Sequence, residues 1–483
     1  MSGHAAPQPT TTYEAPHGTR PWREIWWWLL AGWTVSAADR AVTGPVVTWM
    51  IENDVDFFAS APDPHALGGL IGGLFFAGYM LTQFPGGYLG DRYGHRTLII
   101  VSLIWAGLAT IVTGLLTGLL AFIVIRVITG LGEGAYYSND RSLIAETTPE
   151  RERSLGMGVV ITGLALGITL ATIGTPYLIS LGDLFLPTEE SWRMTFAVLG
   201  LATLVVGLAM AWRWRQHLQA AALKGATTHL LGYSAVTLAL IMGVYFAGAE
   251  FGLSTLTIAA LQVGLAIALV VFVMQRKGTE LAPVVRNRDL MLIYVSFIAI
   301  LWNLWFFGFW SVSIVAGAAD SSFLEAALIA TFNAGAGILG FPAGGWLSDW
   351  AVRQGWGRKP MLLGFTATQA VLTILFAAYI ATAETPSLWV MGILLFTASL
   401  FFNALQPVSQ ALAADIAEPS QRGSMFGMMN LIGEIGAVLS PAVSGVLRDA
   451  TGNWEAAVWL DAGLIVAGLV VLAFVRERTR ALA

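Results

Sequence analysis

Gly86-Gly87-Tyr88-Leu89-Gly90-Asp91-Arg92-Tyr93-Gly94-His95-Arg96 closes an apolar run, and it returns 258 residues later as Gly344-Gly345-Trp346-Leu347-Ser348-Asp349. After a loop five residues longer, the second copy ends on Gly357-Arg358-Lys359. A further echo pairs Arg153-Ser154 and Gly158 with Arg422-Gly423 and Gly427, each at the entry to a glycine-rich run. A single copy reads equally well as a charged turn, but two copies at matching places imply a duplicated architecture. The glycines allow helices to approach closely, and an acid beside arginines can pair with a neighbouring helix end and hold one face shut. Gly87, Asp91, Arg92, Gly94 and Arg96, with Gly345, Asp349 and Arg358 in the second copy, are therefore the candidate gating residues.

Outward from this repeat, the chain of 483 residues is 56% hydrophobic and 11% charged, against roughly 25% charged in an average soluble protein. Mean hydropathy is +0.70. No soluble core hides that much apolar surface, and runs of bilayer-crossing length recur from Trp26 to Phe474. Fourteen can be counted, entered through the aromatic belt Trp26-Trp27-Trp28. The expected fold is an all-α polytopic membrane protein.

Basic residues test that count, because a wrong number of spans would scramble them between the two faces. Of 25 Lys and Arg residues, 21 fall on the side carrying both termini; only Arg193 and Arg448 lie opposite, and Arg40 and Arg126 lie inside spans. Both termini are then expected in the cytoplasm, with the chain crossing the cytoplasmic membrane of a prokaryote. The expected division is a disordered cytoplasmic tail (1–24), an N-terminal six-helix bundle (25–213), a linker with two extra transmembrane helices (214–289) and a C-terminal six-helix bundle (290–483). The extra spans, 229–249 and 253–274, carry no midspan charge and read as peripheral scaffold.

Composition also excludes chemistry. The chain has no cysteine, and its six histidines fall in the tail or at span ends. Disulfides, thiolate metal sites, cysteine nucleophiles, Fe–S clusters and a bis-histidine haem are ruled out. No cofactor, metal or nucleic-acid partner is expected. A net charge of −5 says little about partners.

Charged residues at midspan are costly to insert and mark function by default. The first span carries Asp39-Arg40, and the fourth carries Arg126 and Glu133, seven residues or about 10 Å apart on one helical face. One reading is a structural ion-pair network. The favoured reading is an anion site with a titrating proton carrier: neutralising Glu133 would release Arg126 or Arg40 for a substrate carboxylate, which arginine grips in bidentate fashion.

The doubled G-x-x-x-D-R-x-G-x-R signature resembles that of the major facilitator superfamily. That resemblance covers nearly the whole chain apart from residues 214–280 and implies two six-helix bundles about a midplane site, worked by alternating access. Asp39-Arg40, Gly78-Tyr79-x-x-x-Gln83-x-Pro85-Gly86-Gly87, Arg126-x-x-x-Gly130-x-Gly132-Glu133-Gly134, and Asn430 followed by Pro441 together resemble the anion:cation symporters. By that resemblance Arg40 and Arg126 would contact the anion, Asp39 and Glu133 would handle protons, and Tyr79, Gln83 and Asn430 would shape the pocket. The span-one and span-four patterns also resemble spinster-type lipid carriers.

Three features depart from the sugar-acid pattern. Thr162 is nearly the only polar group between Gly158 and Gly167; Glu434 adds a carboxylate one turn beyond Asn430; and Trp302, Trp305, Phe306, Phe307, Phe309 and Trp310 make one span heavily aromatic. Each points to a less hydroxylated, more apolar or aromatic acid. The aromatic run reads first as packing, with Asn303 within it a plausible polar contact, and Glu434 joins the proton-handling set. Asp461 in the last span reads mainly as a packing residue. The expected function is proton-coupled symport of a small organic anion by a monomer, with sodium the other coupling ion considered. Its alternatives are a proton-driven exporter of lipophilic compounds, a spinster-like lipid carrier, and, from another class, a membrane enzyme or receptor, for which no catalytic constellation or signalling domain is found.

Overall fold

The computed structural model describes residues 21–59, 61–148, 150–418 and 422–477. The disordered-tail expectation falls mostly on residues 1–20, outside the described residues, but its last four positions are helical: α1 runs Pro21–Glu52. It is followed by the short α2 (Asp56–Ala59), then α3 (Pro64–Tyr93), α4 (His95–Thr113), α5 (Leu119–Thr147), α6 (Glu150–Gly182) and α7 (Arg193–Arg213). An inserted pair, α8 (Ala220–Glu250) and α9 (Thr255–Val285), leads to α10 (Arg288–Ala319), α11 (Phe323–Arg353), α12 (Lys359–Thr382), α13 (Leu388–Ile416), α14 (Arg422–Thr451) and α15 (Glu455–Ala473). Among the described residues there is no strand. Twelve of the helices are long and apolar enough to cross a membrane. The other two long helices are α1, 32 residues long but diluted by Asp39-Arg40 and its tryptophans, and α9, whose apolar stretch among the described residues is Thr255–Leu265.

Local signals set the helix ends. Ser322 and Glu325 form a reciprocal capping box at the start of α11, and the Asn287 side chain accepts from the backbone of Asp289 and Leu290 at the start of α10. Gly94 joins α3 to α4 at a φ of 90°, a conformation that disfavours any side chain, which explains the glycine inside the quoted motif.

Short loops make successive long helices antiparallel, so both ends of the described chain lie on one face, here the near face. Within the N-terminal half α1 packs on α6 and α3 on α5; within the C-terminal half α10 packs on α14 and α11 on α13. The halves meet through α3 against α14, α6 against α11 and α1 against α10. On the far side this contact is backbone to backbone. A Cβ added at Gly69 would collide with the Pro441 carbonyl, one at Gly445 with the His65 carbonyl, and one at Gly44 with the Phe309 carbonyl. His65 Nδ1 lies 2.7 Å from Asp449, whose other oxygen accepts from the Ala66 amide at 2.7 Å. Toward the near face the halves part: Gly158, Gly345 and Gly427 face open space, and Tyr88 and Trp346 are exposed.

The inserted pair is not purely peripheral. α8 lies against α3, α4 and α5, where Tyr93 packs on Gly225 and bonds His229. α9, however, lies against both α14 and α3, so it covers the seam between the halves.

Candidate functional site

Four groups of buried polar side chains occupy the middle of the molecule. In the first, Arg40 Nε donates to Glu133 Oε2 at 2.6 Å, Ser36 Oγ donates to the same oxygen at 3.0 Å, and Arg40 Nη2 donates to Ser36 at 2.8 Å. The guanidinium is sandwiched by the rings of Trp33 and Tyr79, at 4.9 and 4.4 Å. Cation–π contact and the ion pair together offset the cost of desolvating the charge. Glu133 Oε1 has no partner among the described residues.

The second group is Asp39 with Arg126. Arg126 Nη1 donates to Asp39 Oδ1 and Nη2 to the Asp39 carbonyl, both at 3.1 Å, while Thr110 donates to Asp39 Oδ2. Phe75 and Phe196 flank the guanidinium, and both charged side chains are 0% exposed. Arg126 and Glu133 thus do share a face of α5, but they do not pair with each other. Each reaches across to α1 instead, so of the two arginines it is Arg40 that Glu133 holds.

The third group joins the halves. Gln83 Nε2 donates to Glu434 Oε1 at 3.4 Å, and Asn430 Nδ2 donates to Gln83 Oε1 at 2.9 Å and to Glu434 at 3.2 Å. Tyr79, which lies over Arg40, stands one turn before Gln83 on α3. Tyr79, Gln83, Asn430 and Glu434 are therefore neighbours of the Arg40–Glu133 pair.

The fourth lies in the C-terminal half. Asn303 Nδ2 donates to Asp461 Oδ2 at 2.7 Å, and Asn303 lines a small cavity of about 20 Å³ between α6 and helices α10, α11 and α13. That is room for about one water, so a solute would enter only as the helices around it part. Asn333, Ser399 and Asn403 share its wall, and Asn303, Asn333 and Ser399 also line an adjoining cavity with Gln369 and Thr373. None of Asn333, Gln369, Ser399 and Asn403 belongs to a recognisable motif; their one sequence signal is an amide or hydroxyl within an apolar span. The arginines do not line either cavity. Asp140 is a further buried acid that sequence reasoning missed, bonded by the Trp33 indole and seven residues beyond Glu133 on the same face.

The aromatic run is packing. Trp305 stacks on Phe76 at 4.4 Å, Trp310 on Trp454 at 4.9 Å, and Trp310 Nε1 donates to the Pro441 carbonyl at 2.9 Å.

The two copies of the glycine-acid motif differ. In the second, Arg358 bonds Asp349 at 2.9 Å, Asp415 at 2.8 Å and Ser348 at 2.8 Å. Burial works against its charge, but the Asp415 and Asp349 carboxylates hold the Arg358 guanidinium above its ordinary pKa. In the first, Asp91 is 75% exposed and meets His95 at 3.7 Å instead of an arginine; Arg92 lies over Tyr93, Arg96 over Trp214, and Gly87 against Ser138. Among the described residues the expected clamp is formed in the second copy only.

This arrangement, two helical halves packed backbone to backbone at one face and holding buried ion pairs between their helices, is the architecture of carriers built from repeated bundles. The sequence profile of the Major Facilitator Superfamily matches residues 29–355 and 294–483, and the chain belongs to that family. It is a multi-pass membrane transporter. Among its relatives, the D-galactonate transporter of Escherichia coli O6:H1 is 25% identical over 83% of this chain and 85% of its own. The hexuronate transporter of Bacillus subtilis is 25% identical over 84% and 85%. A bacterial homolog of the human lysosomal transporter Spinster, solved in an inward-facing and occupied conformation, superposes with a TM-score of 0.68 at 16% identity, covering 95% of this chain and 97% of that one.

Proposed function

We propose that this carrier is a proton-coupled symporter of a small organic anion, with hydroxylated sugar acids the leading substrate class. The observation that carries the reading is the buried Arg40–Glu133 pair at 2.6 Å, set against Tyr79 on the helix whose Gln83 bonds Asn430 and Glu434 of the other half. A guanidinium can hold either its internal carboxylate or a substrate carboxylate, so protonating Glu133 and binding the anion are coupled events. Asp39 and Arg126 form a second pair, fully buried, which we assign to holding α1 against α5. The substrate's body would extend into the cavity walled by Asn303, Asn333, Ser399 and Asn403, which supply the donors and acceptors that hydroxyl groups need. The relatives' named substrates, galactonate and hexuronate, support this class. That wall also outweighs the hint of a more apolar acid drawn from Thr162 and the aromatic run. We place both termini in the cytoplasm, on the distribution of basic residues.

Proteoliposomes loaded with a pH dye and challenged with sugar acids, simple carboxylates and aromatic acids test the reading, with sodium gradients as a parallel arm. Lumen acidification on adding sugar acids, lost in Glu133→Gln, is the expected result. Alkalinisation by lipophilic cations with silence toward every anion would overturn it in favour of an exporter.

A further inference from the structure

Asp461 plays no part in the mechanism just described, yet it sits directly behind the cavity. It is 0% exposed, its Oδ2 accepts from Asn303 Nδ2 at 2.7 Å, and its Oδ1 has no partner among the described residues. Helices α10, α12 and α14 pack against α15. Their charged and titratable side chains are engaged elsewhere or lie at helix ends. Asp289 accepts from the Arg476 amide, Lys359 donates to the Ala473 carbonyl, Glu434 faces Gln83 and Asn430, and Asp449 faces His65. Tyr294 bonds the Val284 carbonyl, Tyr379 bonds the Ser387 amide, and Arg288 and Arg448 stand within the first and last turns of α10 and α14. Among the described residues, the one group that bonds Asp461 is the carboxamide of Asn303, a residue that also lines the cavity.

A carboxamide has two unlike ends, and what faces one of them decides what the other offers. An ionised carboxylate only accepts, so it must take the Asn303 nitrogen, which leaves the carboxamide oxygen for the cavity. A protonated Asp461 becomes a donor through its O–H. The stable partner is then the Asn303 oxygen, and a half-turn of the carboxamide brings the nitrogen to the cavity. We propose that Asp461 and Asn303 form a proton-responsive positioning pair: with Asp461 ionised the cavity presents an acceptor that takes a solute hydroxyl and rejects a carbonyl, and with Asp461 protonated it presents a donor that takes either. The proton arrives at one carboxylate oxygen, no covalent bond to carbon changes, and the Asn303 hydrogen bond is exchanged for one of opposite sense. Asp461 is thereby a specificity-setting positioning residue, and this role rests on the reading of the cavity as the place of the solute's body.

Two measurements on the full-length protein in proteoliposomes test the pair. Infrared difference spectra through a pH titration are expected to show a carboxylic C=O band that is absent in Asp461→Asn. An amide C=O band absent in Asn303→Leu is expected to move with the same midpoint. Uptake kinetics are expected to show that the KM ratio between a glucuronate with one hydroxyl oxidised to a ketone and glucuronate itself falls about tenfold, the weight of one hydrogen bond, as Asp461 is protonated. In Asp461→Asn that ratio becomes independent of pH while kcat is retained; Asp461→Glu restores a pH dependence. An amide band that ignores the titration would overturn the proposal, as would Asp461→Asn with the wild-type pH profile or with kcat lowered equally for every substrate. Coupled bands with no uptake of any carboxylate would uphold the pair and sink the organic-anion reading instead.

Discussion

Arg40 and Glu133 meet at 2.6 Å across α1 and α5, almost wholly buried, and the neighbours of each in sequence and in register, Asp39 and Arg126, make a second pair beside them. The crossing follows from side-chain direction. Helical side chains lean toward their own N-terminus, and α1 and α5 run in opposite directions. Arg40 therefore leans toward the near face, where Glu133 lies, and Arg126 leans toward the far face, where the shorter Asp39 receives it.

Glu133→Gln keeps the shape of the pair and removes the titrating group. Counterflow exchange of labelled substrate is expected at near wild-type rate, while accumulation driven by a pH gradient collapses, by about tenfold per unit of gradient for one coupled proton. Exchange and net uptake measured on the same vesicles check this, and full accumulation in the variant would remove Glu133 from the coupling path.

Asp39 and Arg126 are sealed between Thr110, Phe75 and Phe196, so removing either leaves an unpaired buried charge. Each of Asp39→Asn and Arg126→Gln is expected to destabilise the protein by about 3–5 kcal/mol, and the double variant by less than the sum. Thermal unfolding of the purified variants measures this.

The far-face contacts at Gly69 and Gly445 leave no room for a methyl group. Gly69→Ala and Gly445→Ala are expected to pry that face apart and shift the population toward the state open there. The natural absence of cysteine makes the assay direct: Asn53→Cys with Asn453→Cys places one label on each half, and the interlabel distance should lengthen in the glycine variants.

Glu24, at the near-face start of α1, accepts from Arg213 at the end of α7 at 2.5 and 2.7 Å, and these bonds hold its carboxyl below the usual range. Because the folded-state pKa is depressed, the pair's contribution is present above the unfolded value and is lost as pH falls through the carboxylate range. Both side chains are nearly half exposed, so the loss is expected to stay below about 1 kcal/mol. A melting-temperature profile against pH, flattened slightly in Glu24→Gln, is the check.

The duplicated motif, the span pattern and the intramembrane charges made the fold and the N-terminal pairs legible, because each leaves a local signature in the chain. The partner choice of Glu133 was not legible, since heptad spacing fixes a shared face but says nothing of which neighbouring helix that face meets. The cavity wall was harder still. Asn333, Ser399 and Asn403 come from α11 and α13, and only the packing of those helices on α10 and α6 gathers them. The unequal motif copies were not legible either, because which helix end each acid meets is set by packing and not by the motif.

The position of α9 reaches beyond scaffolding. By lying on α3 and α14 together, it covers the line along which the two halves meet on that flank, the side from which a bilayer-dissolved amphiphile would approach. A solute that reaches Arg40 past this flank has to come through water along the central axis, which suits a hydrophilic acid and disfavours cargo drawn sideways out of the lipid.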